Sequence, residues 1–235
     1  MTAETEPGGS FRASESSWRL PAQLHRTALL LPPLLLACLE IFHPQPEMTV
    51  RALLDVSTWF AVFHVVQLAL IGLIGLSVML LADGYGRADS WATRLGIGTF
   101  LVFFSAYDTL AGIGTGLALR GARQLTPVQR EGVVTVVQDW PGLASPFALS
   151  IIGTLGWVVA VGSVAWAARG QGAPRREWVL LALAAALLMG GHPFPAGTLA
   201  FGCFFAAALL HELASSRRSP AEAGSPAVRD VDNEP

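Results

Sequence analysis

The chain has 235 residues, of which 52% are hydrophobic and only 14% charged. Soluble domains carry roughly 25% charged residues, so much of this chain is built to avoid water. The formal net charge of -2 argues against nucleic acid as a partner, because that requires a basic stripe. Every one of the 15 basic residues is arginine. Cys38 and Cys203 sit in apolar runs, in neither a Cys-x-x-Cys metal spacing nor a disulfide framework, and read as small buried hydrophobes.

Residues 1–19 are polar and cannot build a core, which predicts a disordered tail. The first apolar run, Leu24 to Phe42, is barely long enough to span a bilayer. Pro32 and Pro33 interrupt it, and their missing N–H groups predict a kink. Leu35-Leu36-Ala37-Cys38 resembles a lipoprotein processing box, but further apolar runs follow it rather than a tether and a soluble domain. The second run, Ser57 to Ala82, spans with tilt, and Gly72, Gly75 and Ser77 offer close-packing points. Asp83-Gly84-Tyr85-Gly86 ends it as a turn. The third run, Leu95 to Leu119, carries Gly96, Gly98, Gly112, Gly114 and Gly116, which places it centrally in a helical bundle.

Thr126-Pro127-Val128-Gln129 reads as an N-cap, a proline at the first helical position and a capping-box glutamine. It opens an expected short amphipathic helix at the membrane surface. The rival is a strand through Val133-Val134-Thr135-Val136-Val137. The fourth run is Leu143 to Ala168, the fifth is Trp178 to Gly191 and short for a span, and the sixth is Phe194 to Leu213. Only Gly-Gly-His-Pro-Phe-Pro joins the last two, which predicts a tight hairpin. Residues 215–235 read as a second disordered tail.

The expected fold is therefore all-α: a polytopic transmembrane bundle of six spans over residues 20–214, with one interfacial helix. Arginine placement orients it. With the N-terminus inside, 11 arginines fall on inner segments and 4 on outer links. Both termini are then expected in the cytoplasm, with the protein in a bacterial inner membrane. Trp18, Trp59, Trp91, Trp140 and Trp178 fall near the boundaries, as an aromatic belt does.

Five polar residues stand out because ionisable side chains within or beside membrane spans are costly. Glu40 and His43 are three apart and share a helix face if the helix reaches that far. Glu-x-x-His is also used by metal sites in helical bundles, although those use it on two helices. His64 lies about 10 Å below the start of its helix, with Gln67 on the same face. Asp108 sits near the middle of the third run between Tyr107 and Thr109, with His64 as its natural partner. His192 ends the fifth run, on the outer side with His43. Each also has a bland reading, as an interfacial imidazole or a helix-packing hydrogen bond. That reading is preferred for His25 and His211 at the inner side, whose alternative is a second haem-ligating pair.

At His43-Pro44 and Trp59-x-x-x-x-His64 the chain resembles small multi-pass bacterial membrane proteins of uncharacterised function. In those, a His-Pro closes the first span and a Trp/His pair opens the second. The resemblance covers the first two spans and implies a helical bundle without naming an activity.

Three functions compete. The first is a metal or haem site in the outer half, with His43, His64 and His192 as cofactor ligands and Glu40 and Asp108 joining a metal set. Imidazole with carboxylate suits a divalent transition metal such as iron, zinc or manganese, and two imidazoles from different helices suit b-type haem. The second is a small transporter or proton relay using Asp108 and His64. The third is a scaffold or accessory subunit, with a protein partner or a second copy, in which these groups only fix packing. Beyond the lipid bilayer no partner is specified, and no phosphate loop, nucleophile elbow or zinc-protease motif decides whether the chain is an enzyme.

Overall fold

The computed structural model describes residues 20–44, 48–86, 90–139 and 145–223. The expected tail over residues 1–19 and the end of the chain beyond Ala223 lie outside them. The described residues are all helical, with no strand. In chain order the helices are α1 (Ala22–Glu40), α2 (Val50–Asp55), α3 (Ser57–Gly84) and α4 (Trp91–Ala122). They are followed by α5 (Pro127–Asp139), α6 (Ser145–Gly170), α7 (Arg175–Leu187) and α8 (Ala196–Ala223).

Five of these, α1, α3, α4, α6 and α8, contain stretches long and apolar enough to cross a membrane. The fifth expected run is represented by α7, whose 13 residues cover about 20 Å at 1.5 Å per residue. That is short of a hydrocarbon core of roughly 30 Å. One 3₁₀ turn, Leu188–Gly190, extends it. At the C-terminal end α8 runs to Ala223, so the expected tail from 215 begins as helix.

Packing uses some of the expected devices and not others: Gly72 and Gly98 face open space, and Cys38 is exposed and Cys203 half-buried rather than buried. Helix α1 continues through Pro32 and Pro33, both buried. A proline at 32 cannot bond the carbonyl of Ala28, one turn earlier. Ser77 of α3 donates its hydroxyl to that carbonyl at 2.7 Å, so a neighbouring helix satisfies the group the proline releases. Between α4 and α6, Gly96 and Gly156 meet face to face. A Cβ on either would lie under 3 Å from backbone atoms of the other helix, so this crossing depends on the absence of side chains. The core between α6, α7 and α8 is centred on Trp157, fully buried, whose indole N–H donates to the Ala184 carbonyl at 2.9 Å.

Helix α5 resolves the strand rivalry. The Thr126 N–H reaches Gln129 Oε1 at 3.2 Å, and the Gln129 N–H reaches Thr126 Oγ1 at 3.5 Å. This reciprocal cap starts a helix despite its β-branched valines. Val134 and Val137 bury against Leu53, Phe60 and Leu119. Val128 and Val136 face outward.

Within α4 the backbone leaves α-helical register twice, with π-helical turns at Phe100–Phe104 and Asp108–Gly114. Such turns are rare and concentrate at functional sites. The second begins at Asp108.

Candidate metal centre

His43 follows the end of α1. His64 lies about two turns into α3, and His192 follows the short α7. The Gly191 between α7 and His192 has φ of 101°, a turn that an L side chain resists. Three separate parts of the chain thus deliver three imidazoles to one place, and each offers a ring nitrogen within 4.8 Å of the others. His43 Nε2 and His192 Nε2 are 3.1 Å apart. The His43 ring packs edge-on against both His64 and His192, at centroid distances of 5.3 and 4.7 Å.

The outward-facing nitrogens are already committed. His43 Nδ1 lies 2.8 Å from the Pro44 carbonyl, and His64 Nδ1 lies 2.8 Å from the Phe60 carbonyl one turn earlier. A carbonyl only accepts, so each Nδ1 carries the proton and each Nε2 presents a lone pair. This is how metal-ligating histidines are normally held: the second nitrogen donates to a fixed acceptor and sets tautomer and aim. Burial pushes the His43 imidazole below its ordinary pKa, against the upward pull of the Pro44 carbonyl. Burial lowers His192 further, with His43 and His64 adding to the effect. Both rings are therefore neutral, the form that binds metals.

Aromatic rings wall the cluster. Phe60 and Phe63 contact His64, while Phe104 and Tyr107 contact His192. Close approach of α4 is possible because residue 112 is glycine. A Cβ there would lie 2.1 Å from His64 Cδ2.

Two buried carboxylates complete the surroundings. Asp108 Oδ1 is 4.0 Å from His64 Nε2, and Asp108 is 1% exposed. Glu40 is fully buried and its Oε1 accepts a 2.5 Å hydrogen bond from Gln67 Nε2. Among the described residues, both Asp108 oxygens, Glu40 Oε2 and Gln67 Oε1 have no hydrogen-bond partner. Buried acceptors in this state cost about 1–3 kcal/mol each, more when charged.

The donor set fits a compact ion. With metal–imidazole bonds of about 2.1 Å, tetrahedral ligands stand roughly 3.4 Å apart. The His43–His192 pair is already near that spacing, and the widest pair needs to close by no more than about 1.4 Å. Axial haem ligands stand on opposite sides of an iron, about twice that bond length apart. The 3.1 Å separation of His43 and His192 leaves no room for a macrocycle between them.

At the inner side each histidine stands beside a carboxylate. His25 Nε2 faces Glu212 at 3.6 Å, while His211 Nδ1 faces Glu177 at 3.2 Å. The Glu177 oxygen beside His211 also accepts from the Tyr85 hydroxyl. Glu177 and Tyr85 were not singled out from the sequence. The available signal was an acidic residue one position before an apolar run, at the helix start where a carboxylate is favoured.

No family model, no curated protein and no solved structure matches the chain. The functional reading therefore rests on the site itself.

Proposed function

We propose that the protein is a six-span component of a bacterial cytoplasmic membrane, with both termini inside, that holds one divalent transition-metal ion in its outer half. His43, His64 and His192 are the ligands, and Asp108 and Glu40 stand beside them as a fourth ligand and a counter-charge. The observation that carries this reading is the pair of backbone-clamped imidazoles, His43 and His64, converging with His192. With its own proton on Nδ1, His43 Nε2 accepts from His192 Nε2 at 3.1 Å, and a bound ion would take the place of that shared proton.

Charge supports a single divalent ion. Three neutral imidazoles leave a buried ion with two positive charges, and two carboxylates cancel them. A buried charge is tolerable only when compensated in this way. The mixed imidazole and carboxylate set suits iron, zinc or manganese. The orientation rests on the arginine bias.

The test is metal analysis and an absorption spectrum of protein purified in detergent without chelators. One equivalent of metal, lost in both His43→Ala and His192→Ala, is the expected result. A Soret band would replace the ion with haem. No metal, together with a melting temperature indifferent to chelator, would leave the scaffold reading in its place. The transporter reading uses Asp108 and His64, which stand 4.0 Å apart where the π-helical turn begins. Uptake of the same ion into vesicles distinguishes a carrier from a fixed centre.

A further inference from the structure

Away from the histidines, α6 and α7 enclose a groove of about 340 Å³ that faces outward from the bundle. Its walls are mostly apolar or small: Gly162, Ala165, Ala182 and Ala186 contribute, with Val158 and Met189 at one end. At the other end stands Arg169, exposed, with its guanidinium 5.9 Å from the Trp166 ring and 5.4 Å from the Trp178 ring. We propose that this groove is a binding site for one anionic phospholipid, its acyl chain along α6 and α7 and its headgroup phosphate on Arg169.

Length supports this occupant. From Arg169 back to Val158 is eleven residues of helix, about 17 Å at 1.5 Å per residue. Trp178 on the antiparallel α7 to Met189 in the 3₁₀ turn that follows it covers a similar distance. One leaflet of a hydrocarbon core is about 15 Å deep, so the groove matches one acyl chain in extent. Chemistry supports it as well. Indole rings prefer the headgroup level of a bilayer, and two of them hold the guanidinium there by cation–π contact. Arginine recognises phosphate through paired N–H donors. Arg175 and Arg176, both exposed in the first turn of α7, add positive charge to the same end. The groove exists because α7 brings alanines where a span normally brings leucines.

Native mass spectrometry of the full chain in detergent tests the site, with phosphatidylglycerol and phosphatidylcholine of identical acyl chains as probes. The expected result is phosphatidylglycerol occupancy roughly fivefold above phosphatidylcholine, the scale of one arginine at a membrane surface. Arg169→Gln should bring that ratio close to one. Ala182→Phe, which fills the groove without touching the charge, should reduce both adducts. Equal occupancy in the unaltered chain, or a preference that survives Arg169→Gln, overturns the proposal. So does a dimer that Ala182→Phe disperses, because the groove would then seat a second copy.

Discussion

Gly112→Ala perturbs the centre without removing a ligand. The added methyl would lie 2.1 Å from His64 Cδ2, 2.3 Å from Cγ and 2.8 Å from Cβ, where ordinary contact begins at 3.4 Å. The imidazole or the whole of α4 must therefore retreat by about 1.3 Å. Retreat is resisted on the far side, because His64 Nδ1 is tied to the Phe60 carbonyl at 2.8 Å and Phe60 packs on the ring. Ligand constellations tolerate about 0.5 Å of misplacement, so the change exceeds tolerance more than twofold. Loss of an orienting group around a metal ligand costs 10–100-fold in affinity. A displaced ligand should cost at least that, about 1.4–2.7 kcal/mol. Overpacking adds about 1–3 kcal/mol of destabilisation. The assay is competition for zinc against a chromophoric chelator in detergent, with helicity followed by circular dichroism. Gly72→Ala is the control, since a Cβ there meets nothing within 4 Å. A folded Gly112→Ala protein with unaltered zinc affinity would refute the assignment of His64 as a ligand.

Acidification should destabilise the metal-free protein. Burial holds His43 and His192 below their ordinary pKa of 6.5, so under pH 6.5 the unfolded chain binds protons that the folded chain refuses. Stability is then complete above pH 6.5 and falls below it, down to the lowered values of the folded state. Thermal melts at pH 7.5 and 5 check the sign, and an equal or higher melting temperature at pH 5 contradicts it. Trp157→Ala should cost about 3–5 kcal/mol of stability. Trp157→Phe should cost less, about 1–3 kcal/mol for the orphaned Ala184 carbonyl, and unfolding titrations rank the two. A reporter fused after Leu213 should read as cytoplasmic, and a periplasmic readout would remove α7 from the count of spans.

Much of the architecture was legible because apolar runs bounded by turns leave few alternatives in a membrane. His64 and Asp108 were legible for the complementary reason: nothing about an apolar helix requires them. The meeting of His43 with His192 was accessible only through topology, since both follow segments that lead to the same side. The π-helical turn at Asp108 was not legible. Asp-Thr-Leu-Ala-Gly-Ile-Gly satisfies an α-helix or a π-helix equally, and packing against α3 decides between them. The Glu177–Tyr85–His211 contact was hidden by a different cause. Tyr85 belongs to a turn and Glu177 to the start of a weak span, and neither position is costly until the fold buries them together. The capping box at Thr126, by contrast, was fully local and therefore readable.

Two hydrogen bonds tie α1 to α3 at opposite ends. Ser77 holds the Ala28 carbonyl, and Gln67 holds Glu40. The intervals along the two helices are twelve residues and ten, about 18 and 15 Å of rise, so the rungs sit at matching heights on antiparallel partners. Two separated rungs prevent sliding, and together they also oppose rotation of one helix about the other. His64 and the helix that leads to His43 consequently form one stiff wall of the centre. His192 hangs from a glycine turn at the end of a short helix, without such a brace. On the proposed metal reading, ion-exchange kinetics should respond to a substitution at Gly191 more than to one at Ser77.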